Sequence, residues 1–239
     1  MTVPSIRAVV LDMDGLLIDT EPVWRTAARD ILAPLGIDLT DADLLEGTGV
    51  RVDEMAASFL ASKPPPVPST PLRSPTPPES PGPPVPSPAE VADRITDQVV
   101  AYVARAGEPM PGVPEAIALF ERSGLHLAIA SSSPARLIDA VCARLHLDIE
   151  IRCSALDEAN GKPAPDVYLA AARRLGLIPA SCLAVEDSPA GVLAAKHAGM
   201  TCIAVPDPLL TGDPCYDRAD LILASLTELD EQTLRAFTT

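Results

Sequence analysis

The chain has 239 residues, of which 47% are apolar, enough for one substantial core or a core with a smaller companion and too few for a third unit. Its formal charge of −15 at pH 7 argues against nucleic acid, whose backbone requires a basic face, and against docking on an anionic membrane. It does not exclude a small phosphorylated molecule held at a locally positive site.

In chain order, "RAVVL" (7–11) predicts a buried strand. It ends abruptly in Asp12 and Asp14, where an apolar sheet should continue. "EPVWRTAARDILAPLG" (21–36), "DADLLEG" (41–47) and "VDEMAASFLAS" (52–62) predict three helices. The stretch from Lys63 to Pro88 holds 13 of the chain's 27 prolines. Proline has no amide donor, so the expectation there is a flexible, polyproline-II-like loop. The loop stops at "SPAE": Ser87 caps a new helix, Pro88 takes its first position, and Glu90 completes a capping box. That helix runs from Pro88 to about Ala106.

Beyond it, short apolar runs alternate with helices. "LHLAIA" leads to Ser131, "CLAV" to Glu186 and Asp187, and "TCIAV" to Pro206 and Asp207. The helices between them open at Pro114, Pro134, Pro165 and Pro189, and three close at Gly124, Gly176 and Gly199. This punctuation is that of strands alternating with helices, hence a parallel sheet covered on both faces. The fold class read from it is α/β: a Rossmann-like parallel sheet core with an inserted small all-helical cap domain. The expected boundaries are 1–19 and 108–239 for the core and 20–107 for the cap, with the proline-rich loop at 63–88.

In an open parallel sheet, ligands bind beyond the carboxyl ends of the strands. Asp12, Ser131 and the Glu186–Asp187 pair all fall there. Carboxylates crowded together repel one another, which implies a cation, and hard oxygen donors favour Mg²⁺. Four motifs occur in order: Asp12-Met13-Asp14-Gly15; Ser131 ending an apolar strand; Lys162 in "GKPAPDVYLAAARRLG"; and the acidic pair of "VEDSPAGVLAAKHAGM". With these the chain resembles the haloacid dehalogenase superfamily of phosphotransferases over all but its proline-rich loop.

The resemblance implies a nucleophilic Asp12, an Asp14 acting as general acid and then base, and a Lys162 bridging Asp12 and the phosphate. It implies Asp12, the Asp14 carbonyl and Asp187 as Mg²⁺ ligands, with Glu186 binding directly or through water. Ser131, the Ser132 amide and the backbone of Gly15 and Leu16 would hold the phosphoryl oxygens. Ser133 and Ser188 are read as helix caps. The three histidines share no metal-ligand spacing and are read as structural or solvent-facing.

The inserted helices resemble the family's smaller cap, which closes over the site and reads the substrate. Candidate readers are Glu21, Trp24, Thr48, Gly49 and Arg51. Beta-phosphoglucomutases share the cap and the motifs, but typically carry histidine where this chain has Trp24, five residues after Asp19. "DTEPVW" and the tail "DPCYDRADLILASLTEL" look more like phosphatases of hexitol phosphates and 2-deoxyglucose-6-phosphate. Asp14 argues against a true dehalogenase. The expected function is therefore Mg²⁺-dependent hydrolysis of a small phosphorylated sugar or polyol, with a phosphosugar mutase as the alternative. A third reading, from another class, is an interaction module docking through the P-x-x-P registers Pro65–Pro68 and Pro68–Pro71. The five cysteines form no C-x-x-C pair and read as free thiols in a reducing compartment. No apolar run approaches the roughly 20 residues that span a bilayer, and the chain is read as a cytoplasmic monomer.

Overall fold

A computed structural model describes residues 5–62 and 86–238. Most of the proline-rich loop, with its P-x-x-P registers, lies outside the described residues. Six strands form one sheet: β1 (Ala8–Leu11), β2 (His126–Ser131), β3 (Ile151–Ser154), β4 (Cys182–Glu186), β5 (Thr201–Ala204) and β6 (Leu221–Ile222). Their order is β3-β2-β1-β4-β5-β6, and every neighbouring pair is parallel. The chain steps outward from β1 to β3, then returns to pair β4 on the other side of β1. The crevice at the carboxyl ends of β1 and β4 is therefore the topological switch point.

Successive side chains on a strand face opposite sides of the sheet, and the two sides are sized differently. Val9, Leu11, Ile129, Leu183, Val185 and Ile203 enter one buried cluster. Ala8, Val10, Ala128, Ala130, Ala184 and Ala204 enter the other. The second face is lined by α7 (Asp166–Leu175) and α8 (Pro189–His197), which bring Ala170, Ala171, Ala172, Ala194 and Ala195 against it. Small residues on both surfaces let these helices approach closely, so the alanine-rich composition is the signature of this layer.

Among the described residues, the insertion after β1 contains the helices α1 (Glu21–Leu32), α2 (Asp41–Glu46), α3 (Val52–Ser62) and α4 (Pro88–Ala106). The helix α4 is the pillar of this unit. Val91, Ile95, Val99 and Val103 recur along one buried stripe, packed on α1 and α3. The same helix rests on α6 (Ala135–Leu145) of the sheet region. Its start carries the anticipated capping box, in which the Glu90 amide donates to Ser87 Oγ and the Ser87 amide to Glu90. The remaining helices are α5 (Val113–Arg122) and α9 (Glu231–Thr238).

Sequence reading missed β3, β6 and α9. In β3 Arg152 breaks the apolar run, and β6 is a two-residue edge. No helix among the described residues is long and apolar enough to cross a membrane.

Candidate active site

The register of β1 continues one step past its end, because the Asp12 amide donates to the Val185 carbonyl at 3.0 Å. Asp12 is thus set beside the end of β4, where Glu186 and Asp187 follow. Oxygens of Asp12, Glu186 and Asp187 lie within 4.8 Å of one another, and all three residues are buried. Lys162 enters between them: its Nζ donates to Asp12 Oδ1 at 2.5 Å and also to Glu186 Oε1. Gly15 has φ +78°, and a Cβ there would overlap the Asp187 carboxylate. Only glycine supplies both that conformation and that close approach.

Glu186 is wholly enclosed by protein donors. Its Oε1 accepts from Lys162 and from the Tyr168 hydroxyl at 2.7 Å. Its Oε2 accepts from the amides of Asp187 and Ser188 and from Ser188 Oγ. Ser188 also caps α8, accepting from the Gly191 amide, and a side chain at Gly191 would collide with the Glu186 carboxylate. The carboxylate therefore orients Lys162 toward Asp12, and its oxygens are already engaged. On the far side of Asp187, its carbonyl accepts from Tyr216 Oη at 2.5 Å.

One lysine faces three buried carboxylates. Burial pushes Asp12 up to about 8, against the opposing pull of Lys162. Burial, with Asp12 and Glu186 nearby, raises Asp187 well above the usual carboxylate range. Burial alone would lower Lys162, but Asp12 and Glu186 outweigh it and keep the ammonium charged. A further cation at Asp12 and Asp187 would offset the remaining negative charge. The all-oxygen donor set at the mouth of the switch point fits a hard divalent ion.

Asp14 points into a ring of hydroxyl and indole donors. Thr20 Oγ1 and Trp24 Nε1 reach its Oδ1 at 2.5 and 3.0 Å. Ser133 Oγ reaches Oδ2 at 2.7 Å, and Ser131 Oγ at 3.4 Å. Ser133 is thus no helix cap, contrary to the sequence reading: α6 starts without a side-chain cap, and the Ser133 hydroxyl is spent on Asp14. Ser132 Oγ donates across to the Gly49 carbonyl of the helical unit at 2.8 Å.

A cavity covers these residues. Asp12, Asp14, Ser131, Ser132, Ser133 and Asp187 form its floor; Glu21, Trp24, Arg25, Gly49 and apolar side chains of α2 and α3 close it from above. Gly15 and Leu16 line a neighbouring cavity instead. Thr48 donates to Glu21 at a long 3.5 Å. Arg51 is not among the lining residues. Its guanidinium is engaged by Asp53 at 2.6 Å and by the Glu158 carbonyl at 3.3 Å, so it ties the start of α3 to the sheet region and is not available to a ligand. The cavity's cation is Arg25, which sequence reading passed over. Its only signal there is the Glu21-x-x-x-Arg25 spacing, one helical turn apart.

The haloacid dehalogenase-like hydrolase model matches residues 6–199. The chain belongs to that family. Among its relatives, hexitol phosphatase B of Escherichia coli K12 is 36% identical over 233 residues, covering 96% of this chain and 97% of that protein. CbbY from Rhodobacter sphaeroides, solved in complex with phosphate, superposes with a TM-score of 0.79 at 28% identity, covering 96% of this chain and 99% of CbbY. A beta-phosphoglucomutase from Clostridium difficile shares the fold at a TM-score of 0.78 and 18% identity, covering 98% and 97%. Within the haloacid dehalogenase-like hydrolases the four motifs of this chain thus converge as neighbours around one crevice.

Proposed function

We propose that the protein is a phosphatase that hydrolyses a small phosphorylated sugar or polyol through an aspartyl-phosphate on Asp12, with residues 20–107 acting as its cap. The observation that carries this reading is the buried Asp12–Lys162–Glu186 chain beside Asp187, with Asp14 in the same cavity. The kinship with a hexitol phosphatase supports the substrate class.

Asp12 attacks phosphorus as the bond to the leaving oxygen breaks. Lys162 holds positive charge against Asp12 and the incoming phosphate. Asp14 protonates the departing alkoxide and then removes a proton from the water that attacks the phosphoryl-aspartate, regenerating Asp12 and releasing phosphate. Thr20, Trp24 and Ser133 fix the carboxyl of Asp14 for both transfers. The hydroxyl of Ser131 and the Ser132 amide bind phosphoryl oxygens near the start of α6. Mg²⁺, held by Asp12, Asp187 and the Asp14 carbonyl, would offset the phosphate charge. The cap excludes water while the phosphoryl group is in transit.

The test is phosphate release from a panel of sugar, polyol and nucleotide monophosphates, with and without Mg²⁺. Metal-dependent release from a sugar or polyol phosphate is expected. Conversion of beta-glucose 1-phosphate to its 6-phosphate isomer, without phosphate release from any panel member, would overturn the reading in favour of a mutase.

A further inference from the structure

We infer that Arg25, with Glu21, reads neutral hydroxyl groups at the end of the substrate remote from the phosphate. This rests on the phosphatase reading and narrows its substrate to monophosphates with hydroxyls on the distal carbons.

Arg25 lies one turn after Glu21 on α1, so both side chains leave the helix on one face. Both line the cavity over Asp12 and also the neighbouring one, so the pair stands in the wall between them. Arg25 Nη1 is 3.6 Å from Glu21 Oε2, outside hydrogen-bond reach. It is the one buried side-chain nitrogen or oxygen among the described residues with no hydrogen-bond partner. A buried donor left without an acceptor is costly and calls for an explanation. An oxygen entering the cavity supplies one.

Glu21 complements it. The carboxyl is half-buried and, besides Arg25 at 3.6 Å, meets only the long contact from Thr48, so its oxygens have capacity to spare. Burial, reinforced by Asp14, holds the Glu21 carboxyl above the usual carboxylate range. A guanidinium donor beside a carboxyl acceptor matches hydroxyls, which accept and donate. A second phosphate matches poorly. Arg25 is the single cation among the residues lining this cavity, which also presents Asp12, Asp14, Glu21 and Asp187.

The experiment measures kcat and KM of the full chain with Mg²⁺ on three substrates. These are the best sugar or polyol monophosphate of the panel, p-nitrophenyl phosphate, which carries no hydroxyls, and a ketose 1,6-bisphosphate. Arg25→Met is expected to lower the ratio of kcat/KM for the polyol phosphate over that for p-nitrophenyl phosphate by about 10- to 100-fold, chiefly through KM. Glu21→Gln, which keeps the shape, lowers the same ratio, and Arg25→Lys restores part of it. A ratio unchanged in Arg25→Met and Glu21→Gln overturns the inference while phosphatase activity stands. So does a wild-type preference for the bisphosphate that Arg25→Met removes. Failure of the wild type to release phosphate from any of the three overturns the phosphatase reading, and this inference with it.

Discussion

On the floor of the site, Asp12, Lys162, Glu186 and Asp187 are all buried, Lys162 joins Asp12 to Glu186 by short bonds, and both Glu186 oxygens are saturated by protein donors. On the roof, Glu21, Arg25 and Thr48 meet only at 3.5 and 3.6 Å, and one guanidinium nitrogen has no partner. The floor is held at the ends of paired strands, and Glu186 and Lys162 are fully engaged by protein groups. The roof rests on helices and leaves its hydrogen-bonding capacity open. Chemistry common to many phosphate esters needs the first arrangement; recognition of one ester needs the second.

The largest effect is expected at Lys162. Lys162→Met leaves Asp12 and Glu186 buried without their cation. Turnover on the best substrate is expected to fall by about 10³-fold or more, with a stability loss of about 3–5 kcal/mol in urea titrations. Asp14→Asn keeps the shape but not the proton, and should cost about 10²- to 10⁴-fold in kcat. That loss should be smaller on p-nitrophenyl phosphate, whose leaving group needs less protonation. Trp24→Phe removes one donor from Asp14 and is expected to lower kcat about 10-fold, the scale of one hydrogen bond to a charged group.

The smallest effect belongs to the roof. Glu21 has its folded pKa raised to about 7 from an ordinary 4.5, by burial first and Asp14 second. A carboxyl whose pKa rises on folding contributes stability below its unfolded value, and that contribution is lost as pH climbs through the folded one. Metal-free wild type should therefore lose about 1–3 kcal/mol more than Glu21→Gln between pH 5 and pH 8, read by urea denaturation at each pH. Equal slopes would show that Glu21 is not held in the buried setting described.

The floor was legible in the sequence because its residues sit at strand ends, where polar side chains interrupt apolar runs. Asp12, Ser131, Lys162, Glu186 and Asp187 all meet at one crevice for that reason. Helix punctuation was equally readable: Gly124, Gly176 and Gly199 each take positive φ just past a helix. The strand β3 escaped notice although Ile149, Ile151 and Cys153 alternate, because Asp148, Glu150 and Arg152 interrupt the apolar run. The roof was less legible because helix surfaces carry no motif. Arg51 looked available but is occupied by Asp53 and a carbonyl of the opposite unit, and Arg25 looked like an ordinary surface charge. Ser133 precedes a helix, which suggests a cap, yet tertiary contact with Asp14 claims its hydroxyl. Pairings of this kind depend on which elements come together across the crevice, and local pattern does not encode them.

The most direct test of the account is phosphate release by Asp12→Asn beside the wild type, on the best sugar or polyol phosphate with saturating Mg²⁺. An intact fold by circular dichroism is expected, with activity reduced by about 10³-fold or more, since the nucleophile is gone. A folded variant that retains turnover within about 10-fold of the wild type would contradict it, because the phosphoryl group would then not pass through Asp12.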